Sequence, residues 1–392
     1  MKSNWQTKKL GEICDFQNGF AFKSSEYVDS GFFVMRIGNV QDGYISLSDP
    51  KFIKNSYKPF NKFVLQSGDI LISLTGNVGR VGVINNNHLP AVINQRVARV
   101  SLKSDSIIIK QFLLYFIKSS YFIKELVKAG HGAAQQNIST KDVENLEINF
   151  PPLSEQLRIV KILDEVFAKT AQVKENAEKN LQNAKDLFES YLQNVFDGSK
   201  DNLQKLDNVC KISSKLIDPR KKEFLELIHV GAGNIEVKTS KLIDLKTAEE
   251  EKLISGKFLF DESMVLYSKI RPYLMKVVRP DFNGLCSADI YPLVPNNKLL
   301  IRDYLFYLLL SPVFTEFAIK GSARAGMPKV NREHLFSFEF SLPSLAEQKS
   351  IVAKLDALSE QTKKLEVIYK QKIADLEELK KSFLQKAFKG EL

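Results

Sequence analysis

The chain has 392 residues, 44% hydrophobic and 26% charged, the balance of a water-soluble protein of two or three globular domains rather than a disordered or fibrous one. Three cysteines without a CxxC pair, four scattered histidines and no uninterrupted apolar run of about 18 residues exclude a disulfide framework, a zinc site of ordinary spacing and a membrane-spanning helix. The net charge of +10 points to an acidic partner, and DNA, RNA or an anionic membrane surface all fit it. The surplus is about +6 in residues 1–150, about −1 in 151–200, about +3 in 201–342 and about +2 beyond. The polar start at Lys2-Ser3-Asn4 shows no signal-peptide pattern, and the cysteine usage suggests a reducing, cytoplasmic setting.

In chain order, residues 1–153 read as a mixed α/β globule. Phe63–Ser73 alternates and then turns uniformly apolar, which predicts a strand. Val81–Ile84 and Ala91–Ile93 predict two more. Gly76, Gly79, Asn85–Asn87 and Pro90 punctuate them, and Lys110–Lys128 predicts a helix. Residues 154–200 contain no Pro, and apolar or small residues recur at Ile159, Leu163, Val166, Thr170, Val173, Ala177, Leu181, Ala184, Phe188, Tyr191 and Val195. That spacing is one face of a single helix about 64 Å long, with Ser154 as its cap. Residues 201–345 repeat the order of elements of the first globule. Residues 346–392 form a second long helix, striped by Ile351, Leu355, Leu358, Thr362, Leu365, Tyr369, Ile373, Leu376, Phe383 and Ala387. Ser344-Leu345-Ala346-Glu347 predicts a capping box for it, and Gly198 and Gly390 predict the two helix stops.

The chain is written twice. Residues 151–198 align without a gap on residues 343–390, and 15 of the 48 pairs are identical. Upstream, Phe112–Phe116 lies over Tyr304–Leu308, Ile70–Ser73 resembles Val265–Ser268, and Lys9–Cys14 resembles Lys205–Cys210. A lone helix of this length with one apolar side needs a partner. The expected fold is therefore α+β: two mixed α/β domains separated by two long antiparallel α-helices, in a pseudo-two-fold repeat.

Enzyme motifs are scarce. Amino-methyltransferases need a short Asn/Asp-Pro-Pro-aromatic loop to hold a flipped base. Asn149-Phe150-Pro151-Pro152-Leu153 has the order wrong, and its sister Leu342-Pro343-Ser344-Leu345 keeps half of it. Both are better read as rigid lead-ins to helices. Gly231-Ala232-Gly233 lacks the third glycine of a dinucleotide loop and matches the turn at Gly38-Asn39-Val40. No P-loop, GxSxG or HExxH occurs, and Glu249-Glu250-Glu251 reads as a solvated face. No catalytic or metal-binding residue is assigned.

The candidate DNA readers are paired loops rich in amides and cations. In the first globule they are Thr75, Asn77 and Arg80; Asn94, Gln95 and Arg96; and Gln135, Gln136 and Asn137. In the second, Lys269, Arg271, Tyr273 and Lys276 correspond to the first loop, and Arg324 and Lys329 to the third. Asn and Gln pair bidentately with adenine and Arg with guanine, although any one of these residues equally suits an ordinary exposed loop.

Pro-x-Leu-x-Glu-Gln-x-x-Ile-Val at 151–160 and again at 343–352, Trp5 with Leu10-Gly11-Glu12-Ile13, Gly68-Asp69-Ile70-Leu71 and Ser268-Lys269-Ile270-Arg271-Pro272 together resemble the specificity (S) subunit of type I restriction–modification systems. The resemblance covers essentially the whole chain. It implies a non-catalytic subunit that reads a bipartite double-stranded DNA site, one half per recognition domain. It implies assembly with two methyltransferase subunits, which bind S-adenosylmethionine, and with two restriction–translocase subunits. It also places partner contacts on the helix starts, at Glu155, Gln156, Ile159 and Leu163 and at Glu347, Gln348, Ile351 and Leu355. Met327-Pro328-Lys329 departs from the amide loop at 135–137, so the two halves should read different sequences. Three rivals stay open: an orphan DNA-binding adaptor outside restriction, a self-sufficient modification enzyme, and a coiled-coil scaffold without nucleic acid.

Overall fold

A computed structural model describes residues 4–54, 58–130, 137–197, 202–322 and 327–392, without the side chains of residues 58–60. It divides into two compact units, Met1–Asn176 with Gln371–Leu392, and Ala177–Lys370. The boundaries cut through both long helices, so neither unit ends where its globule does.

In the first unit the strands are β1 (Gln6–Lys9), β2 (Cys14–Asn18), β3 (Phe32–Met35), β4 (Phe52–Ile53), β5 (Ile70–Ser73), β6 (Val81–Val83), β7 (Ala91–Ile93), β8 (Val97–Leu102) and β9 (Glu147–Phe150). The helices are α1 (Leu10–Ile13), α2 (Lys110–Ile117), α3 (Ser120–Ala129), α4 (Thr140–Glu144) and the start of α5 (Leu153–Asp197). One sheet runs β2-β8-β5-β6, a second β4-β3-β7 with β3 and β7 parallel, and β1 pairs with β9. β5 is buried on both faces. Ile70 and Ile72 join Phe112, Phe116, Ile159, Leu163, Leu384 and Ala387 in one core, while Leu71 joins Val34 and Val92 in another. A strand covered on both sides has no polar alternation, which is why this stretch is uniformly apolar.

The second unit repeats the plan with β10 (Leu203–Lys205), β11 (Cys210–Ile212), β12 (Leu216–Ile217), β13 (Ile228–Val230), β14 (Lys246–Thr247), β15 (Lys257–Phe260), β16 (Val265–Ser268), β17 (Val277–Val278), β18 (Gly284–Cys286), β19 (Ile290–Pro295) and β20 (Glu339–Ser341). Its helices are α6 (Leu206–Val209), α7 (Arg302–Leu310), α8 (Pro312–Lys320), α9 (Arg332–Phe336) and the start of α10 (Leu345–Lys389). The sheet β11-β19-β16-β17 matches β2-β8-β5-β6 strand for strand. The second sheet, β12-β15-β18-β13-β14, keeps the parallel pair as β13 and β18 and adds two strands at one edge.

Within each unit the long helices pair antiparallel. In the first, Arg158 meets the Leu392 carbonyl at 2.6 Å and Lys174 meets Glu377 at 2.9 Å. In the second, Leu192 packs into one cluster with Val352 and Leu355. Both helices have 45 residues, close to the length expected from the apolar stripe.

Several local expectations need correction. Lys110–Lys128 is two helices, because Ser119 interrupts the run. Its hydroxyl bonds the Phe116 carbonyl at 2.6 Å and caps the Phe122 amide of α3 at 3.2 Å. Only Ile70–Ser73 of the Phe63–Ser73 stretch is strand, and Gly68, at φ 89°, turns the chain into it. Ser154 does not cap α5. The Glu155 and Gln156 amides bond the Pro152 carbonyl at 3.0 and 3.1 Å, so α5 begins at Leu153. The Ser344–Glu347 capping box is present, with bonds of 2.9 and 3.3 Å. α10 stops before Gly390 at φ 72°, while Gly198 lies outside the described residues.

Candidate nucleic-acid interface

The loop after β5 is the hinge of the first unit's candidate site. The Leu74 amide donates to the Arg96 carbonyl at 3.3 Å, and the Leu74 carbonyl accepts from the Ile138 amide at 2.9 Å. Thr75 then bridges to Asn137. Three loops separated in sequence, at 74–80, 94–96 and 137–138, are thus joined through one residue. The second unit builds the same junction on Lys269. Its amide donates to the Asp289 carbonyl at 3.0 Å, its carbonyl accepts from the Val330 amide at 2.8 Å, and Ile270 bridges to Lys329.

The turn that follows is also shared. Ser73 donates its amide to the Arg80 carbonyl at 2.9 Å, as Ser268 does to the Lys276 carbonyl at 3.0 Å. In the first loop the left-handed positions are Gly76 (φ 68°) and Gly79 (φ 82°). In the second they are Arg271 (φ 49°) and Met275 (φ 48°). Glycine adopts this conformation freely, whereas a residue with a Cβ holds it at a cost of about 1–2 kcal/mol.

The side chains divide into those turned inward and those left open. Arg80 donates to the Gln41 carboxamide oxygen at 2.8 Å. With its carboxamide turned so that the oxygen faces Arg80, Asn77 accepts from the same guanidinium at 3.1 and 3.3 Å. Lys276 likewise donates to the Ala232 carbonyl at 2.5 Å. Both cations therefore brace the loop after the central strand against the turn at Gly38-Asn39 or Gly231-Gly233. Those turns are equivalent: the Asn39 and Asn234 carboxamides bond local backbone at 2.8–3.1 Å. Thr75 and Asn94 are half-buried, whereas Gln95, Arg96, Asn137, Arg271 and Tyr273 are exposed. Gln135, Gln136 and Arg324 lie outside the described residues.

Lys269 is nearly covered, its ammonium donating to the Ala288 carbonyl and lying 5.1 Å from the centre of the Tyr291 ring. Burial, with Lys329 nearby, holds its pKa below the usual lysine value. Asp289, which sequence reasoning missed, is 3.9 Å from both Lys269 and Lys329. It lies in no motif. Its backbone bond to Lys269 gives it, in the second unit, the position that Arg96 holds in the first.

A family model of the type I restriction modification DNA specificity domain matches residues 2–183 and again residues 202–378. The chain belongs to this family.

Known relatives agree with that assignment. The specificity subunit of the Escherichia coli type I restriction enzyme EcoDI is 29% identical over 74% of this chain and 71% of its own length. That of EcoBI, also from Escherichia coli, is 24% identical over 99% of this chain and 86% of its own length. A solved chain from a type I restriction–modification system, described for complex assembly and conformational transition, has the same fold: TM-score 0.76 at 20% identity, over all of this chain and 99% of that one. The HsdS subunit of Thermoanaerobacter tengcongensis follows at TM-score 0.59 and 20% identity, over all of this chain and 98% of its own. The protein is thus a type I restriction–modification specificity subunit. No helix among the described residues is long and apolar enough to cross a membrane.

For such a subunit, most of the expected partner contacts at the helix starts must be reassigned. Gln156, Ile159, Leu163, Gln348 and Leu355 are at most 1% exposed and packed within their own units, and Ile351 lines the core of the second. Gln156 accepts from the Ile109 amide at 3.0 Å and donates to the Ile107 and Pro151 carbonyls at 2.9 Å. Gln348 repeats this with Ile301, Leu299 and Pro343. The signature glutamine fastens each globule to its helix, which leaves Glu155, paired with Arg158 at 2.7 Å, and Glu347, bonded to Ser344 at 2.8 Å, as the members of the set nearest the surface. Glu251 also departs from expectation. It turns inward from the acidic run to meet the buried His229 ring at 2.7 Å, while burial holds that imidazole below its usual pKa.

Proposed function

We propose that the chain is the non-catalytic subunit that reads a bipartite, asymmetric double-stranded DNA site, one half-site per unit, and positions methyltransferase subunits on it. The observation that carries this reading is the repeated three-loop junction: identical backbone bonds at Leu74 and Lys269 present different side chains. A scaffold held constant while its exposed groups change suits two different half-sites. The exposed Gln95, Arg96 and Asn137 are assigned to one half-site, and Arg271, Tyr273 and Lys329 to the other. Arg80 and Lys276 serve as positioning residues. Lys269, nearly covered, supports the second junction.

The methyl donor, S-adenosylmethionine, is assigned to the methyltransferase partner, and in this chain Phe150 and Pro151 lead strand β9 into α5 instead of holding a flipped base. Two restriction–translocase subunits complete the assembly for cleavage, and the work takes place in the cytoplasm, where the DNA is. The test is adenine-methylation sequencing of host cells with and without the gene for this chain. One split motif should vanish on deletion. A methylome unchanged by deletion would overturn the proposal. Methyl transfer by the purified chain alone would instead restore the self-sufficient enzyme.

A further inference from the structure

The geometry points to Asp289 as a specificity-determining residue that accepts a hydrogen bond from the exocyclic amino group of a cytosine in the half-site read by the second unit. The inference rests on the proposed reading of a bipartite site and deepens it.

Asp289 occupies the place of Arg96. Each gives its backbone carbonyl to the residue after the central strand, Lys269 or Leu74. Each follows its parallel strand through an equivalent tight turn: the Ile290 amide bonds the Ser287 carbonyl, and the Val97 amide the Asn94 carbonyl, both at 3.0 Å. The first unit therefore shows a guanidinium where the second shows a carboxylate.

The carboxylate is poorly used inside the protein. Its side chain is 51% exposed, and its nearest cations, Lys269 and Lys329, stand 3.9 Å away. Among the described residues it accepts no side-chain hydrogen bond at shorter range. Phosphates repel a carboxylate, so this group does not serve the backbone contacts that cations make. In the major groove a carboxylate finds its match in the cytosine N4 amino group, as arginine does in guanine O6 and N7. Lys269 and Lys329 flank the carboxylate, offsetting the cost of bringing a negative charge to DNA while leaving its lone pairs open. Equivalent positions would thus read a guanine in one half-site and a cytosine in the other.

The test uses the full chain in its host, with methylome sequencing of wild type, Asp289→Ala, Asp289→Asn and Arg96→Ala. Wild type should require cytosine at one position of one half-site. Asp289→Ala should relax that position alone, lowering discrimination against the other bases roughly 5- to 150-fold. Asp289→Asn, which keeps shape and backbone bonding, should shift the preference towards adenine. Arg96→Ala should relax the other half-site only. If wild type shows a bipartite motif and neither Asp289 variant changes any position, or both change the two half-sites equally, the inference fails while the proposed function stands. If wild type shows no motif dependent on this chain, the proposed function fails and this inference with it. Loss of all methylation by Asp289→Ala with retention by Asp289→Asn at an unaltered motif would mark Asp289 as structural, and would overturn it as well.

Discussion

Gln156 closes the start of helix α2 from another helix, accepting the Ile109 amide at 3.0 Å, and 192 residues later Gln348 does the same for Ile301 at 2.9 Å. Neither α2 nor α7 has a side-chain cap from its own N-cap residue. Gln156→Ala would leave one half-buried amide and two carbonyls with a lost partner. An unpaired buried group costs about 1–3 kcal/mol, so a loss of about 2–4 kcal/mol is expected. Glu155→Ala, one residue away on the exposed side, should cost no more than about 0.5 kcal/mol. Urea unfolding midpoints of the two variants check the contrast, and equal losses would refute it.

This pair also shows how far the sequence could be read. The 192-residue offset, the long helices and the matching globules were legible because periodicity and repetition are local properties of the string. The role of Gln156 was not, since its partners lie 47 and 49 residues upstream and an amide in a motif looks the same whether it faces a partner or a core. Ser119 hid the break between α2 and α3 inside an otherwise continuous apolar pattern. In the second globule, Ser311-Pro312 announces the equivalent break openly. The paired loops were visible as loops, and their junction at Leu74 and Lys269 follows the expected correspondence. Asp289 was invisible because backbone bonding alone matches it to Arg96.

Arg271 holds a left-handed conformation where the first unit has Gly76. Arg271→Gly removes about 1–2 kcal/mol of strain and adds about 0.5–1 kcal/mol of unfolded-state freedom. Stability should therefore stay level or rise by up to about 1.5 kcal/mol, while discrimination at the second half-site falls. Thermal unfolding combined with methylome sequencing separates the two effects. A clear loss of stability would mean that the guanidinium itself supports the fold. By contrast, a Cβ at Gly79 would lie 2.6 Å from Ile123, so Gly79→Ala should destabilise.

Cys14, Cys210 and Cys286 are buried, and burial pushes each thiol from 9.0 up to about 12. The folded thiols thus stay protonated where unfolded ones ionise. With more protons bound in the folded state, stability is fully present below about pH 9 and falls as pH rises from there towards 12. The triple Cys→Ala variant should start less stable, because it leaves small cavities, yet lose stability more slowly over that window. Unfolding free energies measured at several alkaline pH values decide it, and parallel curves would show that the thiols do not contribute. At pH 7.5 a maleimide should label none of the three until denaturant is added.

The two reading surfaces should fail separately. Arg96 and Gln95 are exposed on the first junction, Arg271 and Tyr273 on the second, and no side chain in either pair is needed for the backbone bonds that build the junctions. Arg96→Ala with Gln95→Ala should therefore relax one half-site, and Arg271→Ala with Tyr273→Ala the other, with each lost bidentate base contact worth about 1–3 kcal/mol. Arg80→Ala differs in kind. It frees Gln41 and Asn77 and loosens the whole loop, so the first half-site should weaken at several positions at once. Binding of the full chain with its methyltransferase to duplexes mutated one base pair at a time would resolve these patterns. A double variant that weakened both half-sites alike would break the assignment of one unit to one half-site. An Arg80 effect confined to a single base pair would make Arg80 a direct reader rather than a brace.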